Sequence, residues 1–248
     1  MLWAEYEDIL DWLRTVIIEE VPMSQRGEGH YLPHRPVVKG NSTTRLRPVF
    51  DASAWEQGQP SLNKCLEKCV NFIEIIPAIL LRFQLHQVAV IADIKRAFLQ
   101  VSPGKEDRDF LIFLLVNAEG DLRIFRHTHV KFGVTSSPFL LDAVIDLHLK
   151  RFLAESEQNE WHDRDLIEKL RNSFYVDNCV TSLPDYNALR LFMEKETGVF
   201  AGAKFELRGW EYTDPDLEGP SCTAVLGMSW DKKGHVSRGQ REGERWCD

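Results

Sequence analysis

The chain has 248 residues, 44% of them hydrophobic and 27% charged, with a formal net charge of −8. That length and mixture supply ample apolar material for a core and exclude a disordered chain. The negative balance excludes a uniformly basic nucleic-acid binder but leaves room for a local basic face: Arg26, Arg35, Lys39, Arg45 and Arg47 share one stretch with Glu28 as its sole acid.

Five cysteines show no CxxC pair; Cys65 and Cys69 lack nearby histidines and make a poor zinc site, so the thiols are expected to be free in a reducing compartment. Glu5, Glu7, Asp8 and Asp11 interrupt any apolar leader. No apolar run approaches the roughly 18 residues of a membrane span. A soluble intracellular, cytoplasmic protein with no membrane partner is the expectation; its oligomeric state is left open.

In chain order, Leu2, Ile9, Leu10, Leu13, Val16 and Ile17 recur near helical spacing, which predicts an amphipathic helix over 1–20 that Pro22 ends. Residues 31–39 read as extended, because Pro33 and Pro36 push their predecessors out of the helical region. A turn over 40–44 and a returning strand over 45–51 complete a hairpin carrying Lys39, Arg45 and Arg47. Those cations suit phosphates; a solvated basic ribbon with no ligand is the alternative. His34 reads as a packed or surface side chain, not a ligand.

A helix is predicted over 72–83 and a short buried strand over 88–93, with Asp93 as the charge at its mouth. Lys95 to Leu99 continues as a turn or short helix. Residues 110–116 form a nearly continuous apolar run, read as a central strand, and 122–125 pairs back after a turn. Phe132 to Pro138 is a loop, with Ser136 or Ser137 as N-cap of a helix over 138–152. A shorter helix over 165–171 precedes Phe174-Tyr175-Val176-Asp177-Asn178-Cys179-Val180, where Asp177-Asn178 is a candidate two-residue hairpin turn. Ser182 to Asp185 caps a further helix reaching about Lys195. Residues 204–210 and 223–230 are late strand candidates, and a charged tail starts at Asp231. The alternation reads as α/β. An aspartate at a strand end and another at a hairpin tip could share divalent ions.

Beyond periodicity, three segments occur in order: Ala92-Asp93-Ile94-Lys95-Arg96-Ala97-Phe98, Phe132-Gly133-Val134-Thr135-Ser136-Ser137-Pro138-Phe139 and Phe174-Tyr175-Val176-Asp177-Asn178. They resemble successive palm motifs of a reverse transcriptase. Tyr31-Leu32-Pro33-His34, Val37-Val38-Lys39, Leu46-Arg47-Pro48-Val49-Phe50-Asp51-Ala52-Ser53 and Glu106-Asp107-Arg108-Asp109 look like the BEL/Pao class of LTR retrotransposons. The similarity runs from Tyr31 to Trp230.

This resemblance implies an α+β right-hand polymerase fold, with an antiparallel palm sheet packed on helices and a thumb partial or absent. The division it implies is a helical lead-in over 1–30, fingers over 31–92, palm over 93–210, and the start of a thumb with a frayed tail over 211–248. It implies an RNA-directed DNA polymerase working on an RNA or DNA template–primer with deoxynucleoside triphosphates, in a cytoplasmic retroelement particle. Two Mg2+ ions, or Mn2+ in their place, would be held by Asp93, Asp177 and the carbonyl of Ile94, usually with a second aspartate beside Asp177. Arg47 matches the fingers arginine on the triphosphate, with Lys39 as its companion. Phe98 matches the aromatic residue that excludes ribonucleotides, and Phe132-Gly133 the loop under the nascent base pair. Leu226 to Trp230 looks like the segment after the palm.

The chain departs from the pattern at Asn178, where the family has aspartate. A neutral amide beside two dications weakens the catalytic site, so an impaired polymerase is expected. The chain also reads as a fragment, without room for protease, ribonuclease H and integrase. A catalytically inactive remnant, or a nucleic-acid-binding module keeping only the basic fingers, is the competing reading. A two-carboxylate nuclease on an unrelated α/β fold would leave the ordered motifs unexplained.

Overall fold

In the computed structural model the described residues are 12–25, 27, 29–38, 46–67, 69–116, 120–156 and 162–237. Along the chain come β1 (Ile18–Glu20), β2 (His34–Val38), β3 (Leu46–Phe50) and a short α1 (Leu62–Cys65). Then follow α2 (Ile76–Phe83), β4 (Val88–Ile94), β5 (Ile112–Val116), β6 (Leu122–His127) and α3 (Ser137–Ser156). The remainder is α4 (His162–Arg171), β7 (Phe174–Tyr175), β8 (Asn178–Leu183), α5 (Tyr186–Ala201), β9 (Leu207–Tyr212), β10 (Cys222–Val225), β11 (Met228–Asp231) and β12 (His235–Ser237). Every strand pairing between these elements is antiparallel. This is mixed helix and antiparallel sheet. The chain divides into two compact units, residues 1–69 with 98–140 and residues 70–97 with 141–248.

The first unit holds a three-stranded sheet of order β1-β6-β5 and the two-stranded ribbon β2-β3. Pro36 and Pro48 face each other across that ribbon, a position tolerated because an isolated ribbon has free edges on which no N–H is required. Its core gathers Ile18, Leu32, Phe50, Phe113 and Phe125. His127 lies fully buried among them, its ring stacked on Phe113 with centroids 4.7 Å apart. Both ring nitrogens lack partners, and burial drives the imidazole well below its ordinary pKa, so it packs as a neutral aromatic. His34 is likewise packed, its ring 5.2 Å from Phe50 and its Nε2 2.8 Å from the Leu114 carbonyl.

The helix expected over 1–20 is not continuous. Residues 1–11 lie outside the described set; Trp12 to Arg14 make one helical turn, and Ile18–Glu20 instead pair with Phe125–His127 of β6. Helical spacing of the apolar residues was overridden by an available sheet edge, which buries Ile17 and Ile18 side by side.

The second unit is built on a four-stranded sheet of order β7-β8-β4-β9. β4 is central, as its apolar composition predicts, and Val88, Val90, Ala92 and Ile94 are buried. Helix α3 contributes Leu141, Ile145 and Leu149 at four-residue spacing. Ser137 is the first residue of that helix and its hydroxyl donates to the Lys131 carbonyl at 2.6 Å, which leaves Ser136 at the N-cap position, its carbonyl accepting from the Leu140 N–H at 3.0 Å. α5 is capped as expected: Asp185 accepts from the Ala188 N–H at 2.8 Å. The strand expected over 223–230 is two strands, β10 and β11, because Leu226 and Gly227 take φ of 47° and 84° and form the turn between them. The small three-stranded sheet β10-β11-β12 places Trp230 edge-on to Phe83, with centroids 5.1 Å apart.

Cys65, Cys69 and Cys179 are free thiols, as expected. Among the described residues no helix is long and apolar enough to cross a membrane.

Candidate active site

Asp93 and Asp177, which the sequence separates widely, meet in the second unit. Asp93 lies one residue from the end of β4 and stands opposite Asn178 in the pairing with β8. The Ile94 N–H donates to the Asp177 carbonyl at 2.9 Å, which ties the hairpin tip to the strand end. The tip differs from the expected one by a single residue. Tyr175 pairs with Asn178, so the turn is Val176-Asp177 and Asn178 is the first residue of β8. Val176 adopts φ 56°, the positive value that a type II′ turn needs at its first central position. For a β-branched residue that conformation costs about 1–2 kcal/mol. Pairing across β4 overrides the turn preference of Asp-Asn, because shifting the register would turn every β8 side chain to the other face.

The carboxylates are not free of protein partners. Asn178 Nδ2 donates to Asp177 Oδ1 at 3.0 Å, and Arg208 Nε on β9 donates to Asp93 Oδ2 at 3.2 Å. Asp177 is held above its ordinary pKa, first by burial and then by the negative charge of Asp93. Its own backbone hydrogen bond works in the other direction. The two acids therefore feel each other's charge, the situation a dication relieves.

A cleft of about 240 Å³ opens beside Asp93, lined also by Asn178, Gly209, Glu211, Thr223 and Leu226. Glu211 is a third carboxylate that motif reading missed. It does not replace the missing aspartate, because Lys232 Nζ donates to it at 2.8 Å and the Thr223 hydroxyl at 2.6 Å. Burial disfavours its charge, but these two hydrogen bonds and the lysine charge outweigh burial and lower its pKa. Asp185 is equally committed, as the cap of α5. Arg208 was also missed; only the β4–β9 register, with its irregularity between Ile91 and Asp93, brings it to Asp93.

The first unit carries the other candidate residues. Phe98 is buried and meets the exposed Phe132 edge-on, with ring centroids 4.3 Å apart. Gly133 has φ 88°, and a Cβ there would stand 3.3 Å from the Phe50 carbonyl, so glycine fits the conformation. Asn63, unnoticed in the sequence, braces this loop: its amide donates to the Gly133 carbonyl and the Ser53 hydroxyl, both at 2.9 Å, and accepts from the Thr135 N–H at 2.8 Å. The Lys131 ammonium lies 4.2 Å from the centre of the Trp12 ring, and burial lowers its pKa to about 8. Arg47 occupies β3 opposite Val37. Lys39 and Arg45 lie outside the described residues.

Hard carboxylate oxygens suit Mg2+ or Mn2+. Asp93 and Asp177 fit such an ion as a reduced donor set. Among the described residues no group of three or more His, Cys, Asp or Glu side chains is placed to hold a metal.

No protein-family model matches the chain, and no curated protein matches it in sequence. Solved structures do match in shape. The protease–reverse transcriptase of prototype foamy virus, as a selenomethionine-labelled CSH mutant, superimposes with a TM-score of 0.63 at 17% identity, over 95% of this chain and 26% of that one. The native enzyme gives 0.61 at 18% identity, over 93% and 25%. A foamy viral protease–reverse transcriptase dRH in complex with double-stranded DNA gives 0.61 at 15% identity, over 94% and 35%. The chain thus spans between 25% and 35% of the length of these structures. Together with the antiparallel sheet that brings Asp93 to Asn178, the superpositions establish a reverse-transcriptase-like fold.

Proposed function

We propose that the chain is the fingers and palm of an RNA-directed DNA polymerase from a BEL/Pao-type LTR retrotransposon, with nucleotidyl transfer impaired by Asn178. The observation that carries this reading is the antiparallel pairing of Asp93 with Asn178, beside the turn that holds Asp177. In this reading residues 31–92 would supply the fingers and residues 93–210 the palm. Template–primer, in RNA or DNA form, and deoxynucleoside triphosphates are the substrates in this reading. The double-stranded DNA in one structural neighbour supports a nucleic-acid partner.

Asp93 and Asp177, with the carbonyl of Ile94, would hold the two divalent ions, Mg2+ or Mn2+. When bound, such ions supply Lewis acidity at the primer 3′-hydroxyl and neutralise triphosphate charge. The protein's own part is positional. β4 and the hairpin hold the carboxylates on a rigid sheet, and the Ile94–Asp177 hydrogen bond fixes their spacing. Phe98, backed by Phe132, would limit space at the sugar, Gly133 would let the backbone approach the base pair, and Arg47 with Lys39 would grip phosphates. Asn178 lowers the negative charge of the site by one unit, so the ions are held weakly and turnover falls by about a hundredfold or more.

A second reading, nucleic-acid binding without turnover, is favoured by the Arg208 contact on Asp93. Primer extension on an RNA template with Mg2+ or Mn2+ separates the two. Extension that Asp93→Ala abolishes and Asn178→Asp enhances supports the impaired polymerase. No extension by the unmodified chain or by Asn178→Asp, with retained duplex binding, supports the binding module.

A further inference from the structure

We propose that Arg208 is a built-in counter-cation of the carboxylate site, occupying Asp93 until a divalent ion displaces it, and that it sets the metal affinity of this chain. The inference rests on the metal reading given above and adds to it Arg208, which that reading gives no part in holding the ions.

Both oxygens of Asp93 lie near β9. Oδ2 accepts from Arg208 Nε at 3.2 Å. A Cβ placed on Gly209 would stand 2.8 Å from Oδ1, so only glycine leaves room beside the second oxygen. The irregular β4–β9 register between Ile91 and Asp93 creates this arrangement, by setting Arg208 and not Gly209 opposite Asp93. Gly209, at φ 63°, lets the strand turn in so closely.

Charge completes the argument. Asp93 and Asp177 contribute two negative charges, Arg208 returns one positive charge, and Asn178 contributes none, so the cluster carries −1. With aspartate at 178 and no arginine it would carry −3. A fixed guanidinium within hydrogen-bond distance of a ligand oxygen both occupies a coordination position and repels a dication. The ion pair is partly exposed, with side-chain exposures of 55% for Arg208 and 40% for Asp93. The pair itself is therefore weak and can open when a stronger cation arrives. Glu211 cannot draw the guanidinium away, being already paired with Lys232.

The test is Mn2+ binding followed by electron paramagnetic resonance, with no nucleotide or nucleic acid present. The unmodified chain, Arg208→Gln, Arg208→Lys and Asn178→Asp are compared. Arg208→Gln is expected to bind Mn2+ about tenfold more tightly, while Arg208→Lys, which keeps the charge, stays near the unmodified chain. Asn178→Asp reports independently on whether the carboxylates form a metal centre, and is expected to bind more tightly as well. Tighter binding by Asn178→Asp with unchanged or weaker binding by Arg208→Gln overturns the role of Arg208 and leaves the metal reading standing. Equal tightening by Arg208→Gln and Arg208→Lys also overturns it, because charge would then be irrelevant. Absence of site-specific binding in all four proteins removes the metal reading, and the counter-cation with it.

Discussion

Asn178 stands directly opposite Asp93 in the pairing of β8 with β4, and its amide donates to Asp177 Oδ1 at 3.0 Å. A neutral amide thus binds one carboxylate and stands opposite the other. In the absence of metal this is a stabilising arrangement, since Asp177 already feels the charge of Asp93.

Replacing Asn178 with aspartate should therefore lower stability in chelator, by about 1 kcal/mol, through added repulsion. Millimolar Mg2+ or Mn2+ should more than restore it, because a ligand that binds only the folded state raises its stability. Thermal melts with and without metal check this. A melting temperature of Asn178→Asp that does not respond to metal would sink the idea.

Val176 carries a positive φ of 56° at the hairpin tip. Val176→Gly removes the β-branched strain but loosens the unfolded chain, so a net stabilisation of about 0.5–1 kcal/mol is expected. Urea unfolding should show a higher midpoint with an unchanged slope. A lower midpoint would mean that packing of the valine outweighs its strain.

Asn63 makes three side-chain hydrogen bonds around the Phe132-Gly133 loop. Asn63→Ala should cost about 1–3 kcal/mol. Its local signature is faster amide hydrogen exchange at Thr135, whose N–H loses its acceptor. Unchanged exchange there would show that the loop is held by other contacts.

Glu196 lies on the buried stripe of α5 with Leu189, Phe192 and Val199. Its Oε2 has no hydrogen-bond partner, and burial raises its pKa to about 7, against a weaker opposing hydrogen bond from Thr197. A carboxyl with a raised folded pKa binds its proton more tightly folded than unfolded. Stability is therefore expected to fall as pH rises from the ordinary glutamate range to about 7, and to stay low above it. Glu196→Gln should flatten that slope and add about 1–3 kcal/mol at pH 8. A pH profile of urea midpoints that is identical for the two proteins would contradict this account.

Local pattern was enough wherever the signal was short-range. The apolar run ending in Asp93 and the helix capped by Asp185 are present, and the helix expected over 72–83 is a 3-10 turn over Phe72–Ile75 followed by α2, because propensity, periodicity and capping act within a few residues. The order of the motifs around Asp93, Phe132 and Asp177 indicated a reverse-transcriptase-like fold before any contact was known.

Registers and pairings belong to the tertiary structure. Ile18–Glu20 became a strand because β6 offered an edge, and the hairpin turn moved to Val176-Asp177 because β8 had to align with β4. Arg208 reached Asp93 through an irregular strand register, and Glu211 was drawn to Lys232. These choices depend on partners more than a hundred residues away for Ile18 and for Arg208, and 21 residues away for Glu211. From the sequence alone Asp93 and Asp177 can be named, but not Arg208, since no pattern local to Leu207-Arg208-Gly209 encodes the strand it lies against.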